Sequence, residues 1–175
     1  MTSDRETQQR LEKKLWEELE DSRFVMLGLH GVDDDFTRPM TAQVDRPKDA
    51  DDDQPGKIYF FAAHSEDLVK GLAKSNKAIA TFAAKDHKLF ASIHGKLVLD
   101  QDRAVIERLW NPIIASWYKD GKDDPDLALI RFDADKADVW EAATGATLKA
   151  AALKMLFNID PGKEHQDEHR AEVAL

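Results

Sequence analysis

The sequence predicts an α+β fold in which a small antiparallel barrel carries peripheral helices. About seven short runs have strand character, and Gly, Asp, Asn and Pro punctuate the chain between them. The helical stretches are tucked between strands without the regular alternation that an open parallel sheet requires.

Ser3 and Glu6 have capping-box spacing, and Leu11, Leu15, Trp16 and Leu19 fall on one stripe, so residues 4–20 read as an amphipathic helix. Phe24 to His30 is a strand, Gly31 to Asp35 a turn, and Phe36 to Val44 the returning arm of a hairpin. Pro39 lacks a backbone donor, which puts this arm at a sheet edge or bulge, with backbone left to face a ligand. An acidic, proline-bearing loop over residues 45–56 leads to a third strand, Lys57 to Ala62. Ser65 then reads as the N-cap of a helix over 66–75, with Glu66 and Asp67 in its first turn and Leu68, Val69 and Leu72 facing inward. Ala78 to Ala84 and Leu89 to Leu99 form a second strand pair, joined by residues 85–88. Asp102 to Trp110 is helical, Asn111-Pro112 breaks it, and Ile113 to Lys119 adds a turn or two before Gly121. Leu127 to Phe132 and Ala137 to Glu141 complete the strands. Lys149 to Phe157 reads as a terminal helix closing a domain over residues 1–157, and the polar residues 158–175 as a loose tail.

Composition bounds the function. With 175 residues, 42% apolar and 34% charged, the chain is one globular domain or protomer, not a disordered segment. A formal charge of −9 argues against nucleic acid, so a bound phosphate needs a local cationic pocket. The absence of cysteine excludes disulfides, thiolate catalysis and iron–sulfur clusters. The polar N-terminus is not a secretory signal and no apolar run is long enough to span a bilayer, so no membrane is expected and the cytoplasm is the default location.

Four segments resemble the general stress branch of the pyridoxamine 5'-phosphate oxidase-like split barrels. They are Arg38-Pro39-Met40-Thr41; Ile58-Tyr59-Phe60-Phe61 leading to Ser65; Ser92-Ile93-His94-Gly95-Lys96; and Trp110-Asn111-Pro112 through Trp117, Gly121, Asp124-Pro125-Asp126-Leu127 to Trp140. The resemblance spans about residues 8–142, and the order and spacing of the pieces carry it more than any one of them. It implies a split β-barrel of six antiparallel strands in a Greek key, a homodimer, and FMN held in clefts between protomers. Arg38 then offers a planar fork to the FMN phosphate, the start of the 66–75 helix with the Ser65 hydroxyl offers a second donor set, and Lys70 adds charge. Met40-Thr41 and Phe60-Phe61 flank the isoalloxazine, and Trp117 or Trp140 reaches it from the partner. One departure stands out. Relatives place a Ser and then a Lys in the first turn of this helix, where Glu66 and Leu68 stand here. Either Ser65 and Lys70 take over that role, or FMN binding is weakened.

Three functions stay open at this stage: a homodimeric flavoprotein acting as an oxidoreductase on a small molecule, a carrier of flavin or another planar cofactor, and a flavin-free structural dimer. Pyridoxamine-phosphate oxidase activity itself is not expected, because that enzyme adds a basic C-terminal substrate segment and this chain ends alanine-rich and acidic. His64 and His94 are candidate acid–base groups, though a barrel-surface role suits His94 better. His165-x-x-Glu168-His169 matches the inverted zinc-peptidase pattern but lacks an apolar face and a third ligand. Asp49, Asp51 and Asp53 begin like a calcium loop, yet Gln54 and Phe60 stand where Gly and a bidentate Glu are needed.

Overall fold

The computed structural model describes residues 2–33, 36–46, 55–142 and 170–175. Helix α1, Thr2–Ser22, lays its predicted stripe on the sheet: Leu11, Leu15, Trp16 and Leu19 are each at most 3% exposed. Arg10 and Lys14 of α1 both bind Glu141 and fix the helix azimuth, the Arg10 contact at 2.7 Å.

The strands are β1 (Phe24–Leu29), β2 (Arg38–Thr41), β3 (Gln43–Asp45), β4 (Lys57–Ala63), β5 (Lys77–Ala83), β6 (Leu89–Leu99), β7 (Leu127–Glu141) and β8 (Arg170–Ala174). Neighbours run β2-β1-β5-β6-β7-β4-β3, all antiparallel, with β8 beside β7. The terminal strands β2 and β3 are separated in sequence by Ala42 alone, so the sheet must curl until its ends meet. Ala42 is fully buried, and its N–H donates to the Arg23 carbonyl at 2.6 Å. Counting β2 and β3 as two arms of one bent strand gives the six-stranded split barrel, to which β8 is an addition. Pro39 lies on this terminal strand, as its missing donor requires.

Leu27, Ala80, Ile93, Phe60 and Ile130 fill the barrel, each at most 1% exposed. A second apolar cluster lies outside it, where Tyr59, Phe61 and Leu129 meet α3 (Arg103–Leu109) and α4 (Pro112–Ala115). Asp102 caps α3 by accepting from the Ala104 N–H at 2.9 Å.

Several expectations are corrected. Leu127–Phe132 and Ala137–Glu141 are halves of the single strand β7; the polar residues between them are a β-bulge, where pairing steps from His94↔Lys136 to Gly95↔Ala134. The helix expected over 66–75 is α2, Asp67–Gly71, followed by hydrogen-bonded turns to Ser75. Its N-cap is Glu66, which makes no side-chain cap bond, because the Ser65 N–H and hydroxyl both donate to Asp126, at 2.8 and 2.6 Å. The tail is not loose throughout: Arg170–Ala174 pairs with Lys136–Trp140, and Val173 is buried against α1 and the sheet. The Lys149–Phe157 helix, the tail over 158–169, the His165 motif and the Asp49–Asp53 loop lie outside the described residues, as does the Ser3 side chain.

Candidate functional site

Strand β2 exposes its residues to three depressions. The first, of about 420 Å³, is an apolar cleft between Met40 and Thr41 of β2, Phe61 of β4, and Ile113, Ile114 and Trp117 at α4. Its outer wall is locally built. Asn111 Oδ1 accepts from the Ile113 and Ile114 N–H groups at 3.0 and 3.1 Å, and Pro112 opens the helix with a preset φ. The Tyr118 hydroxyl donates to the Ala62 carbonyl at 2.6 Å, clamping the end of this segment onto β4. Burial pushes that phenol's pKa well above its usual value. With its backbone so held, the segment leaves Ile113 73% and Trp117 68% exposed along the cleft.

The second depression, of about 220 Å³, lies between the β1–β2 connection and α2 and gathers Arg38, Lys70 and Lys74 with Asp33 and Asp67. Lys74 Nζ donates to Asp33 Oδ2 at 2.8 Å and holds that carboxyl below its usual pKa. Gly71 lets α2 approach β1, since a Cβ there would lie 2.9 Å from Leu29 Cδ1. Among the described residues this pocket therefore gathers three cations and two carboxylates on an acidic protein. The third depression is a shallow apolar trough across the outer sheet face, lined by Phe24, Met26, Pro39, Phe90 and Trp140.

The residues singled out from the sequence thus divide. Arg38 and Lys70 share the cationic pocket, while Met40, Thr41, Phe61 and Trp117 share the apolar cleft. Pro39 borders both cleft and trough. Trp140 lies on the trough with the Arg170 guanidinium 5.1 Å from its ring centroid. Phe60 alternates inward from Phe61 and packs near Phe132 in the barrel, away from the cleft. Ser65 is engaged by Asp126, whose carboxyl those two hydrogen bonds hold below its usual pKa. His64 meets the Gln101 amide at 3.2 Å, and His94 stacks with His30 on the surface.

Sequence reasoning missed Ser22, Gln43 and Ile113 on the cleft. For Ile113 a signal existed: an Asn-Pro cap followed by two isoleucines leaves one of them outside a helix this short. For Gln43 none existed, because its burial depends on barrel closure. Among the described residues, no group of three or more His, Asp or Glu is placed to hold a metal ion, and no helix is long and apolar enough to cross a membrane.

A family model described as pyridoxamine 5'-phosphate oxidase like matches residues 10–163. Among solved structures, the general stress FMN/FAD binding protein of Xanthomonas citri is 46% identical, with a TM-score of 0.67 over 75% of this chain and 89% of that one. A general stress family protein of Xanthomonas campestris is 47% identical, with a TM-score of 0.68 over 77% and 88%. A general stress protein 26 of Jannaschia is 28% identical, with a TM-score of 0.70 over 96% and 99%. No curated protein matches.

Proposed function

Because this chain belongs to the pyridoxamine 5'-phosphate oxidase-like family, in its general stress branch, we propose that it is an FMN-binding homodimer whose bound flavin serves redox chemistry on a small molecule. The observation that carries the reading is the pairing, along one strand, of an apolar cleft with a cationic pocket. From Thr41 to Arg38, β2 advances about 10 Å at the usual strand rise, which brings a ring site and a phosphate site within reach of one ligand. The relative from Xanthomonas citri, described as FMN/FAD binding, supports the choice of ligand.

When bound, the flavin supplies electron transfer, and the protein contributes position and electrostatics. Met40, Phe61, Ile113 and Trp117 would exclude water from a flat ring bound in the cleft. Arg38 and Lys70 would hold the phosphate, and Lys74, paired with Asp33, would contribute less. Asp67 in the same pocket and the sequestered Ser65 favour a second reading, in which phosphate affinity is low and the protein carries flavin without turnover. The apolar trough of Phe24, Met26, Phe90 and Trp140 supports a homodimer, since exposed apolar faces of this kind mark association sites.

The test uses Ile113→Glu, whose exposed side chain leaves the fold intact. FMN titrated by fluorescence should bind the variant at least about tenfold more weakly, one desolvated carboxylate exceeding that cost. Unchanged affinity would move the ring out of the cleft. Turnover of FMN-loaded protein with NAD(P)H separates the redox reading from the carrier.

A further inference from the structure

The apolar cleft has one charged end. From α4 it crosses β2 to the turn between α1 and β1, where Asp21 and Arg23 line it, and to the β5–β6 turn, which contributes Lys85. The strand registers bring these turns together. β1 pairs with β2 from Phe24↔Thr41 and with β5 from Val25↔Phe82, so the residues just before β1 meet those just after β5. Arg38 stands opposite Leu27, four residues along the chain from Arg23. At the usual strand rise, about 13 Å then separates this end from the cationic pocket.

Arg23 keeps a side chain at a position where none is easier to hold. Its φ is +57°, and its N–H donates to the Leu19 carbonyl at 3.1 Å, the left-handed close of a helix that glycine fills without strain. A side chain retained at a backbone cost points to a use for it. Its Nε donates to the Glu20 carbonyl at 3.1 Å, so the open edge of the guanidinium is the one carrying the two Nη groups, which make no hydrogen bond among the described residues. The neighbouring carboxylates are engaged elsewhere: Glu20 Oε1 lies 3.3 Å from Arg46 Nε, and Asp21 Oδ2 lies 3.3 Å from Lys85 Nζ. Two cations and one carboxylate therefore line this end.

Two coplanar N–H donors match the two oxygens of a carboxylate, with opposite charge. The walls beside them are aromatic and open, Phe24 being 67% and Trp117 68% exposed, which suits a flat apolar body. We propose that this end of the cleft is a second binding site, for an aromatic carboxylate: Arg23 grips the carboxylate through its Nη edge, Lys85 adds charge, and the ring lies toward Phe24 and Trp117. The site is distinct from the phosphate pocket at Arg38. It names the substrate class of the proposed flavoprotein, and it rests on the flavin reading only for what the acid meets once bound.

The test compares 2-naphthoate with its neutral isostere 2-naphthamide, by equilibrium dialysis against the full chain loaded with FMN. Wild type should prefer the acid by about tenfold, the scale of one charge-assisted hydrogen bond at a partly exposed site. Arg23→Gly should lose that preference yet melt no lower than wild type, because glycine takes the left-handed helix end without strain. Arg23→Lys, which keeps the charge and loses the fork, should retain part of it, and Lys85→Ala should reduce it by a smaller factor than Arg23→Gly. Equal binding of acid and amide by wild type would overturn the site and leave the flavin reading standing. An Arg23→Gly protein that keeps the preference, or that melts several degrees lower, would make the arginine structural and overturn the proposal. Naphthoate that expels FMN into the dialysate would put the acid in the flavin's own place and overturn the second site. A chain that takes up no FMN but keeps an Arg23-dependent preference for naphthoate would support the anion site and overturn the flavin reading.

Discussion

Gly95 sits where the barrel bends, and replacing it with alanine tests the β6–β7 bulge directly. A Cβ at this position would lie 2.2 Å from the Asp133 carbonyl oxygen, 2.8 Å from Ala134 Cα and 2.9 Å from the Asp133 carbonyl carbon. All three atoms are backbone of β7, so no side chain can swing aside. Adding a methylene to a packed core costs about 1–3 kcal/mol, and a backbone clash belongs at the upper end or beyond. For a chain of this size, about 3 kcal/mol corresponds to a fall in Tm of about 6–12 °C. Gly28 is the control: its Cβ would meet the Thr37 Cγ2 methyl at 2.9 Å, a side-chain atom that can move. Gly28→Ala should therefore cost no more than about 1 kcal/mol. Thermal unfolding of both variants, followed by circular dichroism, measures the difference. A Gly95→Ala protein that melts within about 2 °C of wild type, or no lower than Gly28→Ala, would refute the bulge geometry.

Three further outcomes are expected. Arg38→Ala should lower FMN affinity by about 30- to 150-fold, the loss of a charge-assisted pair, while riboflavin binds both proteins equally; equal FMN affinity in the folded variant would remove Arg38 from the phosphate site. Deleting residues 170–175 should lower Tm by about 3–12 °C, from the burial of Val173 alone, and an unchanged melting curve would detach β8 from the fold. The Asp126 carboxyl is held below 3.8 by hydrogen bonds from Ser65, so its stabilising effect is present at neutral pH and disappears as pH falls through and below that value. Urea unfolding of wild type and Asp126→Asn should then differ at pH 7 and converge in acid; a constant gap would place the effect elsewhere.

How legible the molecule was depended on whether a signal was local. The α1 stripe, the β1–β2 hairpin, the helix from Asp102 and its break at Asn111-Pro112 are periodicities or turn residues acting within a few positions, and the structure has them. Barrel closure is not local. The break at Ala42 is invisible in the run from Phe36 to Val44, because its cause is a hydrogen bond to Arg23, on another element. Asp133, Asp135 and Lys136 are polar and separate two apolar runs that read as two strands, yet they are exposed residues of one bent strand. β8 was missed because four of its five residues are not buried; Val173 supplies its anchor. At the site, Ser65 was taken for a cap because it precedes a helix, whereas Asp126, 61 residues away, binds it first. The Met40-Thr41, Phe61 and Trp117 grouping was reachable through family resemblance, not through composition or period.

The most direct test is the absorbance spectrum of freshly purified protein, followed by denaturation and quantification of the released flavin. A yellow protein that releases FMN, at up to one per chain and lost on Ile113→Glu, is the expected result. A colourless protein that takes up no FMN at micromolar concentration would contradict the account.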